Sequence, residues 1–417
     1  MRYTHLIRNI PKEMNIPTTK TIAKAGTIVL AGTLIAHALN YAFTIIMTRI
    51  LEQEAYAVLV TIITIITIIS IPLRTATTIA AKYTSFIIRG YASYVQATLI
   101  LGIGILGVYV CLTPIMADWL KISPAALLAI GPIILVTPLL SMNMGLIQGM
   151  RRVAIFSWVP AGEATAKFAF AGLFVALGYP LYGALGAISL TVIISSIINT
   201  LIVAREHARL KEKNGPSSHI PKQWRNSAII ILVSSIATAL LGNMDVLAAK
   251  HFFSNELAAQ YLVLAVITRT ISYGSLIMIP VLFPAMAQAL HPRDARILLK
   301  KGISTALATS LLILVLFALY PKQIITLLPG SQYDAVAPYL VLAGIATALW
   351  SCSQIFLSYF IATDTKRFLM PLLAITGSQM IGIALFHNSI QEILTVINVS
   401  EVLLLGVYTF LCLQKKR

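Results

Sequence analysis

From residue 22 to the end of the chain, long apolar runs alternate with short polar stretches. Twelve runs are long enough to cross about 30 Å of hydrocarbon as helices. They lie at 22–48, 55–81, 96–117, 125–148, 157–178, 183–204, 227–250, 259–286, 302–320, 335–361, 368–387 and 393–413. None shows the ten-residue alternation of an outer-membrane barrel strand. The pattern predicts an all-α polytopic membrane protein with about 12 transmembrane helices. The longest polar interruption, Arg205 to Asn226, contains the breaker run Asn214-Gly215-Pro216-Ser217-Ser218. It divides the chain into an N-lobe (1–204, spans 1–6), a cytoplasmic linker loop (205–226) and a C-lobe (227–417, spans 7–12).

The two halves open alike. The first span of one exits through Arg49-Ile50-Leu51-Glu52-Gln53-Glu54-Ala55-Tyr56; that of the other exits through Lys250-His251-Phe252-Phe253-Ser254-Asn255-Glu256 and reaches Tyr261. A proline, Pro72 or Pro280, is expected to interrupt the next span in each half, and the fourth spans end at Arg151-Arg152 and Lys366-Arg367. Six spans is an even number, so both halves start on the same side of the membrane. The expected architecture is two parallel repeats around a central cavity.

Of the 417 residues, 58% are hydrophobic and 11% charged, against about 25% charged in an ordinary soluble domain. The net charge of +17 raises the question of nucleic acid, and the position of the charges answers it. With the N-terminus in the cytoplasm, 24 of the 31 lysines and arginines fall in inner segments and only Arg49, Lys121, Lys250 and Lys322 in outer loops. That bias predicts a multi-pass protein of the cytoplasmic (inner) membrane with both termini cytoplasmic, and no nucleic-acid partner. The first 20 residues are polar and basic, so the first span is expected to stay in the protein. Cys111, Cys352 and Cys412 stand singly in or beside apolar runs and suggest neither disulfides nor zinc.

No nucleotide, metalloprotease or hydrolase motif survives its context. Gly102, Gly104 and Gly107 spell GxGxxG inside an apolar helix, with no preceding strand. Like Gly145 and Gly149, they fit close helix packing better. Asn398-Val399-Ser400 spells a glycosylation sequon within the last span. The outer loops are too short for a catalytic domain, so the chain is expected to be no enzyme, with no catalytic residues, cofactor or metal.

Ionisable groups at membrane depth are expensive, about 2.5 to 3.5 kcal/mol on insertion scales, and are functional candidates by default. Arg74 could snorkel to the inner headgroups or face the cavity. Arg269 lies eight residues past Tyr261, roughly 12 Å along a helix, and is expected to face the cavity. His37, Asn40 and Tyr41 form a polar stripe on the first span that could touch substrate. Glu163 and Lys167, four apart with the acid first, could neutralise each other or couple an ion. Asp245, two residues after Asn243, is another ion-coupling candidate or a plain boundary charge. Glu401 is expected to be peripheral.

Several segments carry a family likeness: Ala31-Gly32-Thr33 to Asn40, Thr48-Arg49-Ile50-Leu51-Glu52-Gln53-Glu54-Ala55-Tyr56, Gly145-Leu146-Ile147-Gln148-Gly149-Met150-Arg151-Arg152, and Asn243-Met244-Asp245 leading to Phe283-Pro284. Together they resemble the polysaccharide-transporter branch of the multidrug/oligosaccharidyl-lipid/polysaccharide exporter superfamily. The resemblance implies a flippase that carries a polyprenyl-diphosphate-linked oligosaccharide (O-antigen, capsule or exopolysaccharide repeat) across the inner membrane by alternating access. It implies Arg74 and Arg269 as diphosphate-binding residues, with a polysaccharide polymerase and chain-length machinery as possible partners. The competing reading is an ion-coupled small-cation or drug antiporter of the same superfamily, and a membrane glycan polymerase or ligase is a more distant one. Cavity charge discriminates between the first two: a basic surplus suits the anionic lipid, an acidic and aromatic lining suits drugs.

Overall fold

The computed structural model describes residues 19–414 apart from 83, 89, 151, 212–222, 288 and 290. Most of the proposed linker and Arg151 therefore lie outside the described residues. In the N-terminal half the helices are α1 (Thr19–Ile50), α2 (Gln53–Lys82), the single turn α3 (Thr84–Ile87), α4 (Tyr91–Leu120), α5 (Pro124–Leu128), α6 (Gly131–Gly149), α7 (Val153–Ala176) and α8 (Pro180–Lys211). The C-terminal half contains α9 (Gln223–Leu241), α10 (Met244–Phe252), α11 (Asn255–Ser275), α12 (Ile279–Ala287), α13 (Pro292–Leu319), α14 (Pro321–Leu327), α15 (Leu340–Ala362), α16 (Leu369–Leu385) and α17 (Ile390–Gln414). A 3-10 stretch, Ser331–Tyr339, leads into α15. Every predicted span coincides with a helix or a broken helix pair.

Among the described residues, nine helices are long and apolar enough to cross a membrane. The other three crossings are α7, which carries Glu163 and Lys167, the broken pair α11–α12, and the seventeen-residue α16. Large apolar side chains point outward along α4 (Ile100, Ile103, Ile115) and α13 (Leu307, Leu311, Leu312). Water would penalise such continuous bands; acyl chains solvate them.

The internal repeat is visible in the packing. In the first half α1 packs on α7, α2 on α6, α4 on α6, α6 on α8 and α7 on α8. In the second, α9 packs on α16, α11 on α15, α13 on α15, α15 on α17 and α16 on α17. These pairings correspond one for one, so the chain builds the same six-span bundle twice. The halves meet chiefly where α2 lies along α9 and α11, and where α1 meets α11.

Two sequence expectations about helix breaks diverge. Near Pro280 the span does break, between Ser275 and Ile279. Pro72 does not interrupt α2, which runs unbroken for 30 residues. A proline removes only one backbone donor, and helices packed on both sides can hold the chain in register.

The glycine reading holds for α6. A Cβ on Gly145 would lie 2.3 Å from the Thr77 carbonyl oxygen, and one on Gly149 would lie 2.4 Å from that of Ala81. Gly102 brings α4 equally close to Leu135 of α6, whereas Gly104 and Gly107 meet nothing within 4 Å. Gly145→Val is therefore expected to force α2 and α6 apart at a cost of about 1 to 3 kcal/mol, seen as a lower apparent melting temperature. Gly107→Val should leave that temperature unchanged.

Candidate functional site

The site is built from two polar clusters, one in each half, joined by a set of rings. In the first half, Asn40 of α1 donates through Nδ2 to the Ala36 carbonyl at 2.7 Å, and its Oδ1 accepts from the Lys167 ammonium of α7. The same ammonium lies 4.4 Å from the centre of the Phe43 ring. Glu163, one turn before Lys167, lies beside the Ser195 hydroxyl of α8. The i,i+4 spacing thus does not produce a direct ion pair. Among the described residues, pairs within 4.0 Å are those of Glu206 with Arg152 and Arg209. Lys167 turns instead to an amide oxygen and a ring on α1, which anchors α7 to α1 while keeping the carboxylate close enough to balance the charge.

In the second half, the span broken at Gly242–Asn243 sets the geometry. A Cβ on Gly242 would lie 2.8 Å from Trp350 Nε1, so glycine lets the turn tuck against α15. Asn243 donates to the Ala239 carbonyl at 2.9 Å and accepts from Arg269 Nη2 at 3.3 Å. Asp245, in the first turn of α10, accepts from the Tyr261 hydroxyl at 2.7 Å and lies within electrostatic reach of Arg269. A carboxylate is favoured at a helix N-terminus, and here an arginine from α11 faces it.

Between the clusters, the exposed His37 of α1 stacks on Tyr273 of α11, ring centres 4.9 Å apart, and Tyr41 meets the same ring edge-on at 6.2 Å. Tyr41 also lies beside the Thr270 hydroxyl. Tyr273 is one turn beyond Arg269, so both occupy one face of α11. Sequence reading missed Tyr273; its i+4 spacing from the intramembrane arginine was the available signal. Arg74 lies within α2, but its side chain is outside those described.

The structure thus joins Asn40 to Lys167 with Glu163 nearby, joins Arg269 to Asn243 with Asp245 nearby, and links the halves through His37, Tyr41 and Tyr273. Among the described ionisable side chains, two cations face two carboxylates. The basic surplus expected of a diphosphate site is absent from this set, and so is an acidic surplus. Aromatic rings are present between the clusters: His37, Tyr41 and Tyr273.

Glu401 departs from its predicted peripheral place. It is fully buried between α17 and α15, where Oε2 accepts from Ser353 Oγ at 2.9 Å and Oε1 has no hydrogen-bond partner. One sequence cannot show which face of the last helix turns inward. An amide satisfies the same Ser353 contact without a buried charge, so Glu401→Gln is expected to leave the apparent melting temperature unchanged or raised.

An inward-facing multidrug resistance MATE family transporter of the MOP superfamily superposes with TM-score 0.72 at 13% identity, covering 94% of this chain and 99% of the other. An outward-facing structure of such a transporter gives TM-score 0.64 at 13% identity, covering 94% and 95%. A MOP superfamily transporter from Pyrococcus furiosus, described as having a binding pocket of reverse polarity that suggests a different function, gives 0.70 at 13% identity, covering 94% and 96%. The fold is that of the MATE transporters. At 13% identity these likenesses show a shared fold, and they lend nothing to the polysaccharide branch read from the sequence. No family model matches the chain, and comparison with curated proteins finds no match.

Proposed function

We propose that this chain is a membrane transporter working by alternating access, and that its cleft takes a small amphiphilic organic solute, exported against an ion gradient. The observation that carries this reading is the aromatic bridge His37–Tyr273–Tyr41 between two charge-balanced clusters. Flat, weakly charged molecules gain stacking and cation–π energy on such rings. A diphosphate calls instead for several uncommitted donors, and here Lys167 and Arg269 already donate to Asn40 and Asn243. The basic end would face the cytoplasm, with both termini there. In the absence of an ATP-binding motif, the driving force would be an ion gradient, with Glu163, Lys167 and Asp245 as the groups placed to sense it.

The second reading is the lipid-linked oligosaccharide flippase. It is favoured by the partial exposure of both cations, Lys167 and Arg269. Its cargo would hold the diphosphate near Arg269 and leave the polyprenyl tail in lipid, and a polymerase would be its partner. Reconstituted protein given an imposed proton or sodium gradient and ethidium separates the two readings. Gradient-dependent ethidium accumulation supports the solute exporter. Absence of accumulation, with restored glycan display in a flippase-deficient strain, overturns it for the flippase.

A further inference from the structure

The halves touch at the charge-poor end through two clasps related by the internal repeat. In the first, Arg49 in the last turn of α1 donates through Nε to the Leu328 carbonyl at 3.1 Å and through Nη2 to the carbonyls of Leu327 and Thr326, at the end of α14. Thr48 Oγ1 donates to the Pro329 carbonyl at 3.0 Å, and Gln332 returns a bond to the Thr48 carbonyl at 3.1 Å. In the second, the loop after α10 grips the end of α4. His251 pairs through Nδ1 with the Trp119 carbonyl at 2.6 Å and stacks on that indole at 4.4 Å. The buried Lys250 donates to Asn255 Oδ1 at 2.7 Å, and Asn255 donates to Glu54 across the seam at 2.8 Å.

The end of the first span of each half thus grips the end of the third span of the other or the segment just after it, and the Asn255–Glu54 bond ties the two first-span connections together. Neither clasp belongs to the candidate site. Both lean on backbone carbonyls, and those at the end of α14 have no helical donor of their own to occupy them. The clasp bonds form only while this end is closed; on opening, water takes up the exposed carbonyls, so each clasp adds a modest preference for the closed arrangement.

We propose that these two clasps form a double latch that sets the closed population of this end of the transporter. The proposal rests on the alternating-access reading. Its parts are Arg49 with the end of α14, and His251 and Asn255 with Trp119 and Glu54. Breaking one clasp shifts the equilibrium toward opening here, and breaking both shifts it further.

The test is a spin-label distance measurement on full-length protein in lipid nanodiscs. Cys111, Cys352 and Cys412 are first replaced by serine or alanine, and labels are then placed at Glu52→Cys and Ser331→Cys, exposed positions on opposite halves. A second pair, Ala154→Cys and Lys366→Cys, reports the basic end. Arg49→Ala and His251→Ala are each expected to raise the ratio of long to short distances at the first pair about fivefold to tenfold, equal to about 1 to 1.4 kcal/mol. Arg49→Lys, which keeps the charge but loses the fork, should fall between Arg49→Ala and the parent, and Lys322→Ala should match the parent. A parent that shows two distances with unchanged populations in both alanine variants overturns the latch alone. A single invariant distance at both ends, in parent and variants alike, overturns alternating access and the latch with it.

Discussion

Arg269→Ala is expected to abolish transport and lower the apparent melting temperature, and Asp245→Asn/Arg269→Ala to recover the stability but not the transport. Arg269 donates to Asn243 at 3.3 Å and faces Asp245, whose close hydrogen-bond partner is the Tyr261 hydroxyl. Removing the guanidinium leaves a carboxylate at membrane depth with no opposing charge, a loss of about 2 to 3 kcal/mol for charge-assisted contacts of this kind. Neutralising Asp245 removes that penalty, so the double-variant cycle should show a coupling of about 1 kcal/mol or more. Transport is not expected to follow stability, because Arg269 is still missing and Asp245, one of the groups proposed to sense the gradient, is neutralised as well. Melting curves and gradient-driven ethidium accumulation, measured on Arg269→Ala, Asp245→Asn and the double variant, give the two readouts. Wild-type transport by Arg269→Ala would remove this arginine from the site.

The twelve crossings and their division six and six were legible because a membrane imposes one simple rule on sequence: apolar where there is lipid, charged where there is water. The repeat was legible from the same boundaries, and the matching of α1–α7 with α9–α16 and of α2–α6 with α11–α15 gives it structural form. The interior was harder to read. Spacing places Glu163 and Lys167 on one helix face, but it cannot show that Asn40 and Phe43 on a distant helix offer Lys167 a better seat. Apolarity all around the last span hides which side of α17 is buried, so the sequence points to a peripheral Glu401 where the fold buries it. The short segments that resemble polysaccharide transporters sit largely at helix ends and turns, where they describe how the bundle is built. In the proposed reading cargo is decided where the halves meet, by groups such as Tyr273 that no boundary pattern marks.

Tyr273 carries the other large expected effect. Its ring touches His37 and Tyr41 of the opposite half, at 4.9 and 6.2 Å between centres, and each such pair is worth about 0.5 to 1.5 kcal/mol beyond its buried area. Tyr273→Ala removes both contacts and the surface on which a flat solute would stack. The expected result is a loss of at least about tenfold in transport kcat/KM, the equivalent of about 1.4 kcal/mol. Tyr273→Phe keeps the ring and should transport within about twofold of the parent, since it alters neither stacking contact. His37→Ala separates bridging from binding. It breaks one inter-half stack but leaves the Tyr273 face open, so a ring that mainly holds the halves together would make His37→Ala and Tyr273→Ala equally damaging. If the ring mainly binds solute, Tyr273→Ala is the worse of the two and its KM rises more than its kcat falls. Equal transport by Tyr273→Ala and the parent would leave the aromatic bridge without a role in either, and the solute-exporter reading without its principal support.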